Sequence, residues 1–152
     1  MTQMTVKQKL YDHCCEFVEN RLKSIMNLIS EIQESLLSET KSSAGDKHET
    51  GRAMLQLERE KAGQQLAEIQ KVEGTLTKTD INKKGDIVRL GSLVYTTQAN
   101  YFISISAGKL TIDNIDFFAI SPDAPIGLLL VSKRVGDEVI FRNQKFKIKN
   151  IL

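Results

Sequence analysis

Asp46 and Glu49 stand three residues apart in a short polar turn, Ser42-Ser43-Ala44-Gly45-Asp46-Lys47-His48-Glu49, with long helical text on either side. Two carboxylates at this spacing have two uses. Asp is a favoured helix N-cap, and Glu three residues later completes a capping-box spacing, with a usual worth of ~1 kcal/mol. At the apex of a helical hairpin the same pair is also a tool that can be carried into another molecule's active site. Both readings stand together, since a capped turn is a rigid one. Lys41, Lys47, His48, Arg52 and Arg59 surround the acids; solvation on a helix face is the default for such charges.

Other chemistry is sparse. The sequence has no zinc-ligand spacing, no phosphate-cradling glycine loop and no Ser/His/Asp set. The two cysteines, Cys14 and Cys15, are adjacent in helical text. Neighbouring helical side chains point roughly 100° apart, which disfavours a disulfide between them. No histidine or acid is arranged to make Cys15 a nucleophile, so it reads as a small apolar residue. With no signal peptide and no apolar run approaching about 20 residues, neither export nor a membrane span is expected. A reducing cytoplasm is the expected compartment.

The 152 residues suffice for one ordinary domain or two small ones, and their net charge is +2. Residues 1–77 carry ten Lys/Arg against twelve Asp/Glu, and residues 78–152 carry eleven against seven. A mildly acidic half is thus joined to a mildly basic one, with too small an excess to argue for nucleic-acid binding by itself.

The elements that must position the acidic turn are two helices. From Thr5 to Ser38 there is no Pro or Gly, and Tyr11, Cys15, Val18, Leu22, Ile25, Ile29, Ile32 and Leu36 alternate in steps of four and three. That is a coiled-coil seam. A second helix is predicted over Lys47–Val72, with Leu55, Ala62, Leu66 and Ile69 on its seam and Met54, Leu57 and Val72 beside it. Gly51 and Gly63 each cost it about 1 kcal/mol relative to Ala. Two such helices joined by a short turn pack antiparallel.

Beyond residue 78 the helical period gives way to short β-type runs at Ile87–Leu90, Leu93–Thr97, Tyr101–Ser106, Phe117–Ile120, Glu138–Arg142 and Lys145–Ile151. Pro125 opens a short apolar helical segment with Ile126, Leu129 and Leu130. The expected fold class is α+β. Residues 1–77 form an antiparallel coiled-coil hairpin, and residues 78–152 a small sheet domain with one short helix.

Two segments together resemble the Gre transcript-cleavage factors of bacterial RNA polymerase. Gly45-Asp46-Lys47-His48-Glu49 looks like the Gly-Asp-x-x-Glu at the tip of the Gre coiled coil. Ile120-Ser121-Pro122-Asp123-Ala124-Pro125-Ile126-Gly127, continuing through Leu128-Leu129-Leu130-Val131-Ser132-Lys133-Arg134-Val135-Gly136-Asp137-Glu138-Val139, looks like the core of the Gre C-terminal domain. The family usually has Ser where this chain has Ala124, and Gly where it has Ser132.

The resemblance implies an FKBP-like C-terminal fold that grips the rim of the polymerase secondary channel through Ser121, Pro122, Asp123, Pro125 and Ile126. It implies that the tip enters the channel and stimulates cleavage of backtracked RNA. Asp46 and Glu49 would there act as ligands to a second Mg²⁺ shared with the polymerase, and Lys41, Lys47, His48 and Arg52 would meet the RNA 3′ end. The protein would hold no cofactor of its own and would not be an enzyme alone. A non-cleaving regulator of the same channel and a coiled-coil adaptor are the alternatives.

Overall fold

The computed structural model describes residues 4–41 and 46–152, with side chains outside residues 40–49. Helix α1 runs Val6–Lys41 and helix α2 Asp46–Lys78, antiparallel to it. Six strands and one short helix follow: β1 Leu93–Thr96, β2 Asn100–Ile103, β3 Gly108–Ile112, β4 Ile115–Ile120, α3 Pro125–Leu130, β5 Glu138–Phe141 and β6 Gln144–Ile151. The class is α+β, as expected. The chain divides into two compact units. One is Val18–Glu73; the other joins Met1–Phe17 to Gly74–Leu152.

The first unit is a two-helix hairpin. Val18, Ile25, Ile29 and Ile32 of α1 are buried, with Leu22 and Leu36 half-buried, as the 4-3 spacing requires. From α2 come Ala62 and Ile69, buried, and Leu55 and Leu66, half-buried. Gly51 has a packing reason: a Cβ there would meet the Glu39 carboxylate of α1 at 3.3–3.4 Å.

In the second unit the start of α1 departs from the expected seam. Leu10 and Cys14 are wholly buried, whereas Tyr11 and Cys15 are only half-buried. The stretch has partners on two sides. The Tyr11 hydroxyl donates to the Leu76 carbonyl at 3.3 Å, and Lys9 lies 3.4 Å from Asp113 on the β3–β4 turn. A helix flanked by two neighbours buries a wider stripe than a coiled-coil seam does. The same unit explains why α2 runs six residues past Val72. Leu76 and Thr79 are buried there, and the Thr79 and Ser104 hydroxyls are hydrogen-bonded at 3.1 Å.

The sheet order is β3-β4-β2-β1-β6-β5. All neighbours are antiparallel except β2 and β4. β2 is central, and Tyr101 to Ile105 are all buried, so both faces of the sheet are covered. One face joins Val94, Tyr101, Ile103, Phe146 and Ile148 to Leu130 of α3. On the other, Leu93 opposes Phe102, and Tyr95 meets Phe117 edge-on with ring centroids 6.0 Å apart. A shift of register opposite Tyr95/Thr96 leaves Lys149 unpaired, which turns both Ile148 and Ile151 inward.

Two tight turns close the hairpins β3–β4 and β5–β6. Asp113 and Asn114 have φ of 50° and 67°, and Arg142 and Asn143 have 50° and 64°. Two consecutive left-handed residues give a turn whose twist matches the flanking strands. The expected strand at Ile87–Leu90 is instead one isolated bridge, Ile87 to Arg134. β3 was not expected from the sequence. It lies at the sheet edge, where alternation is weakly enforced.

Candidate functional site

Asp46, Lys47, His48 and Glu49 make up the first turn of α2. The side chains of Lys41, Asp46, Lys47, His48 and Glu49 lie outside the described residues, as do Ser42–Gly45 altogether. The helices pair just before the connection. The Arg52 guanidinium donates to the Leu36 carbonyl at 3.3 Å, across the hairpin. Together with Glu39 against Gly51, this fixes the register of the last turns before the connection. Arg52, expected to meet RNA, therefore also ties α2 to α1.

The second candidate segment follows β4. Ser121 organises it. Its N–H donates to the Ser106 hydroxyl at 3.1 Å, and its own hydroxyl accepts from the Asp123 N–H at 3.2 Å. Its carbonyl accepts from the Ala124 N–H at 3.1 Å. This closes a turn that delivers Pro125 to the first position of α3, where a missing N–H costs nothing. Gly127 then sits so close that a Cβ would be 2.1 Å from the Ser121 oxygen. Only glycine permits that approach.

Ser121 and Pro122 are half-buried, Asp123 and Pro125 are exposed, and Ile126 packs against the core. Ser121, Pro122, Asp123, Pro125 and Ile126 are thus gathered into one ordered turn and helix start. Sequence reasoning placed Leu129 on the packed face with Leu130. Leu130 is buried, but Leu129 is 38 % and Leu128 66 % exposed. The signal was available: three consecutive leucines on a helix of six residues cannot all face one core.

α3 ends at Leu130, and Ser132, two residues on, has a φ of 74°. Its N–H donates to the Val88 carbonyl at 2.8 Å, and the Val88 N–H returns a bond to the Lys133 carbonyl at 2.9 Å. A left-handed residue just past a helix is the usual place for glycine. Serine here occupies a conformation that glycine adopts without strain.

Among the described residues no three His, Cys, Asp or Glu side chains gather to hold a metal ion. Nor is any helix there long and apolar enough to cross a membrane. Cys14 and Cys15 are free thiols, and burial pushes Cys14 up to about 12. Such a thiol is inert.

Compared with models of known protein families and with curated protein sequences, the chain matches none. The class of protein is therefore set by architecture: an antiparallel helical hairpin followed by a six-stranded mixed sheet with one short helix. That architecture is consistent with a Gre-type factor.

Proposed function

We propose that this protein is a Gre-type elongation factor, which binds bacterial RNA polymerase and inserts its hairpin tip into the secondary channel. The observation that carries the reading is a conjunction. Asp46 to Glu49 open the second arm of a long antiparallel hairpin, and the Ser121–Ile126 segment forms one ordered surface turn in the sheet unit. From Val18 to Lys41 the first arm extends roughly 35 Å at ~1.5 Å per residue, a length suited to threading a channel.

The C-terminal unit, FKBP-like in this reading, docks on the channel rim. Asp123 and Pro125 are exposed for that contact, with Leu128 and Leu129 beside them as an apolar anchor. Asp46 serves as a ligand to the weakly held second Mg²⁺ of the polymerase, and Glu49 assists it or orients the attacking water. That ion, when bound, supplies charge stabilisation to the scissile phosphate in the two-metal manner. Lys41, Lys47, His48 and Arg52 steady the RNA 3′ end through its phosphates. The protein brings no cofactor, the hydrolytic activity belongs to the complex, and its compartment is the cytoplasm.

The test is RNA cleavage in backtracked complexes of the cognate polymerase. Wild type should shorten the RNA, and Asp46→Asn/Glu49→Gln should bind the polymerase equally well without doing so. Equal cleavage by both proteins refutes the role of the acids. Polymerase binding without cleavage by wild type assigns a non-cleaving regulator of the channel. Failure to capture the polymerase at all leaves an adaptor.

A further inference from the structure

The unit that contains the sheet has a cleft of about 450 Å³, lined by none of the residues of those two segments. It is within the size range of small-molecule sites. Leu93 and Tyr95 line it from β1, Leu152 from just past β6, Val6 and Lys7 from the start of α1, and Lys84 from the loop after α2. Most of that lining is apolar, and its charged members are both lysines.

Cations outnumber acids around Lys7. Arg89 and Lys84 are near enough to repel the Lys7 ammonium, and Asp80 is near enough to attract it. Arg89 is held in place by a 2.7 Å hydrogen bond from its guanidinium to the Lys84 carbonyl. Asp86, the next acid along the loop, is engaged elsewhere, 3.2 Å from Arg134. Among the described residues neither the Lys7 ammonium nor the Tyr95 hydroxyl has a hydrogen-bond partner.

We infer that this cleft binds a small amphipathic anion, an acyl chain with a carboxylate or phosphate head, with its chain against Leu93 and Leu152 and its head between Lys7 and Lys84. Partial burial costs a cation its hydration, and here it draws the Lys7 pKa below its ordinary value, with Arg89 and Lys84 adding repulsion against the opposing pull of Asp80. An anionic head relieves that cost, whereas a neutral or cationic head does not. An apolar chain covers surface that water otherwise wets.

The probes are decanoate and decyl phosphate, kept below their micellar concentrations, with decanol and decyltrimethylammonium as controls. Binding is read by calorimetry and by amide shifts in the full chain. Decanoate, decyl phosphate or both should bind about tenfold tighter than decanol, since each well-placed lysine contributes a few-fold. Which head is preferred assigns the source of the ligand. The shifts should centre on Val6, Lys7, Lys84 and Tyr95. Lys7→Met/Lys84→Met should bring the anions down to the decanol value with the circular dichroism unchanged. The proposal is overturned by equal binding of the cationic probe, by shifts centred on Leu128 and Leu129, or by no binding at millimolar probe. Deletion of residues 1–3 should leave the affinity as it is; a large gain would give the cleft to the chain's own N-terminus.

Discussion

Gly127→Ala sets two effects against each other, and the structure decides the sign. In a helix interior alanine is favoured over glycine by about 1 kcal/mol, so propensity alone calls for stabilisation. The new Cβ, however, would stand 2.1 Å from the Ser121 carbonyl oxygen and 3.2 Å from the Pro122 carbonyl carbon. These are backbone atoms and cannot swing aside as a side chain would.

To restore contact distance, α3 and the Ser121–Pro122 segment must part by about 1 Å, an overpacking cost of ~1–3 kcal/mol. The same shift strains the 3.1 Å bond from the Ala124 N–H to the Ser121 carbonyl, worth ~1 kcal/mol. The net expectation is a loss of about 1–3 kcal/mol. Urea unfolding reads it, with the midpoint falling by roughly 1 M for an m-value of ~1–3 kcal/mol/M.

The chain has no Trp, and its three tyrosines, Tyr11, Tyr95 and Tyr101, all lie in the unit that contains the sheet. Tyrosine fluorescence therefore reports that unit, while the helical signal at 222 nm is dominated by α1 and α2. The tyrosine midpoint should move and the helical one should move less. A midpoint unchanged or raised would show that the close approach of Gly127 to Ser121 does not constrain the fold.

Three further outcomes follow from the geometry. Ser132→Gly should raise stability by about 0.5–1 kcal/mol and the Tm by about 2 °C, because relief of a left-handed serine exceeds the added chain entropy; a calorimetric scan checks it, and Ser132→Val should move the other way. Leu128→Ser removes a side chain that is 66 % exposed, so the unfolding free energy in urea should stay within about 0.5 kcal/mol of wild type, and under the proposed function capture of RNA polymerase should fall. The Cys14 thiol, at about 12 when folded against an ordinary 9.0, holds its proton more tightly in the native state. Its contribution to stability is therefore complete below pH 9 and is lost as pH rises from 9 toward 12. Denaturation at pH 8 and pH 10.5 should show a smaller alkaline loss in Cys14→Ala than in wild type.

The hairpin was legible because a seam of Val18, Ile25, Ile29 and Ile32 can serve only a helical partner, and no breaker interrupts it. Around Tyr11 and Cys15, spacing alone does not reveal that those turns face two neighbours and bury Leu10 and Cys14 instead. Central strands announced themselves through runs such as Tyr101–Ile105. β3 did not: of Gly108-Lys109-Leu110-Thr111-Ile112, only Leu110 and Ile112 are apolar, and an edge strand needs no more. At Ser121–Ile126 the sequence named the segment, but the hydroxyl of Ser121 as its organising group required coordinates. The exposure of Leu128 was hidden for a different reason, since composition counts a leucine as core wherever it stands.

The unit containing the sheet is made of two chain segments, with Val18–Glu73 set between them like an insert. Matched blocks of seven residues could be removed from, or added to, both arms of that insert. The flanking packing of Leu10, Cys14 and Leu76 would be left alone. Each block would change the arm by about 10 Å. Natural selection, or an engineer, can in this way change the length of the hairpin without redesigning the unit that contains the sheet.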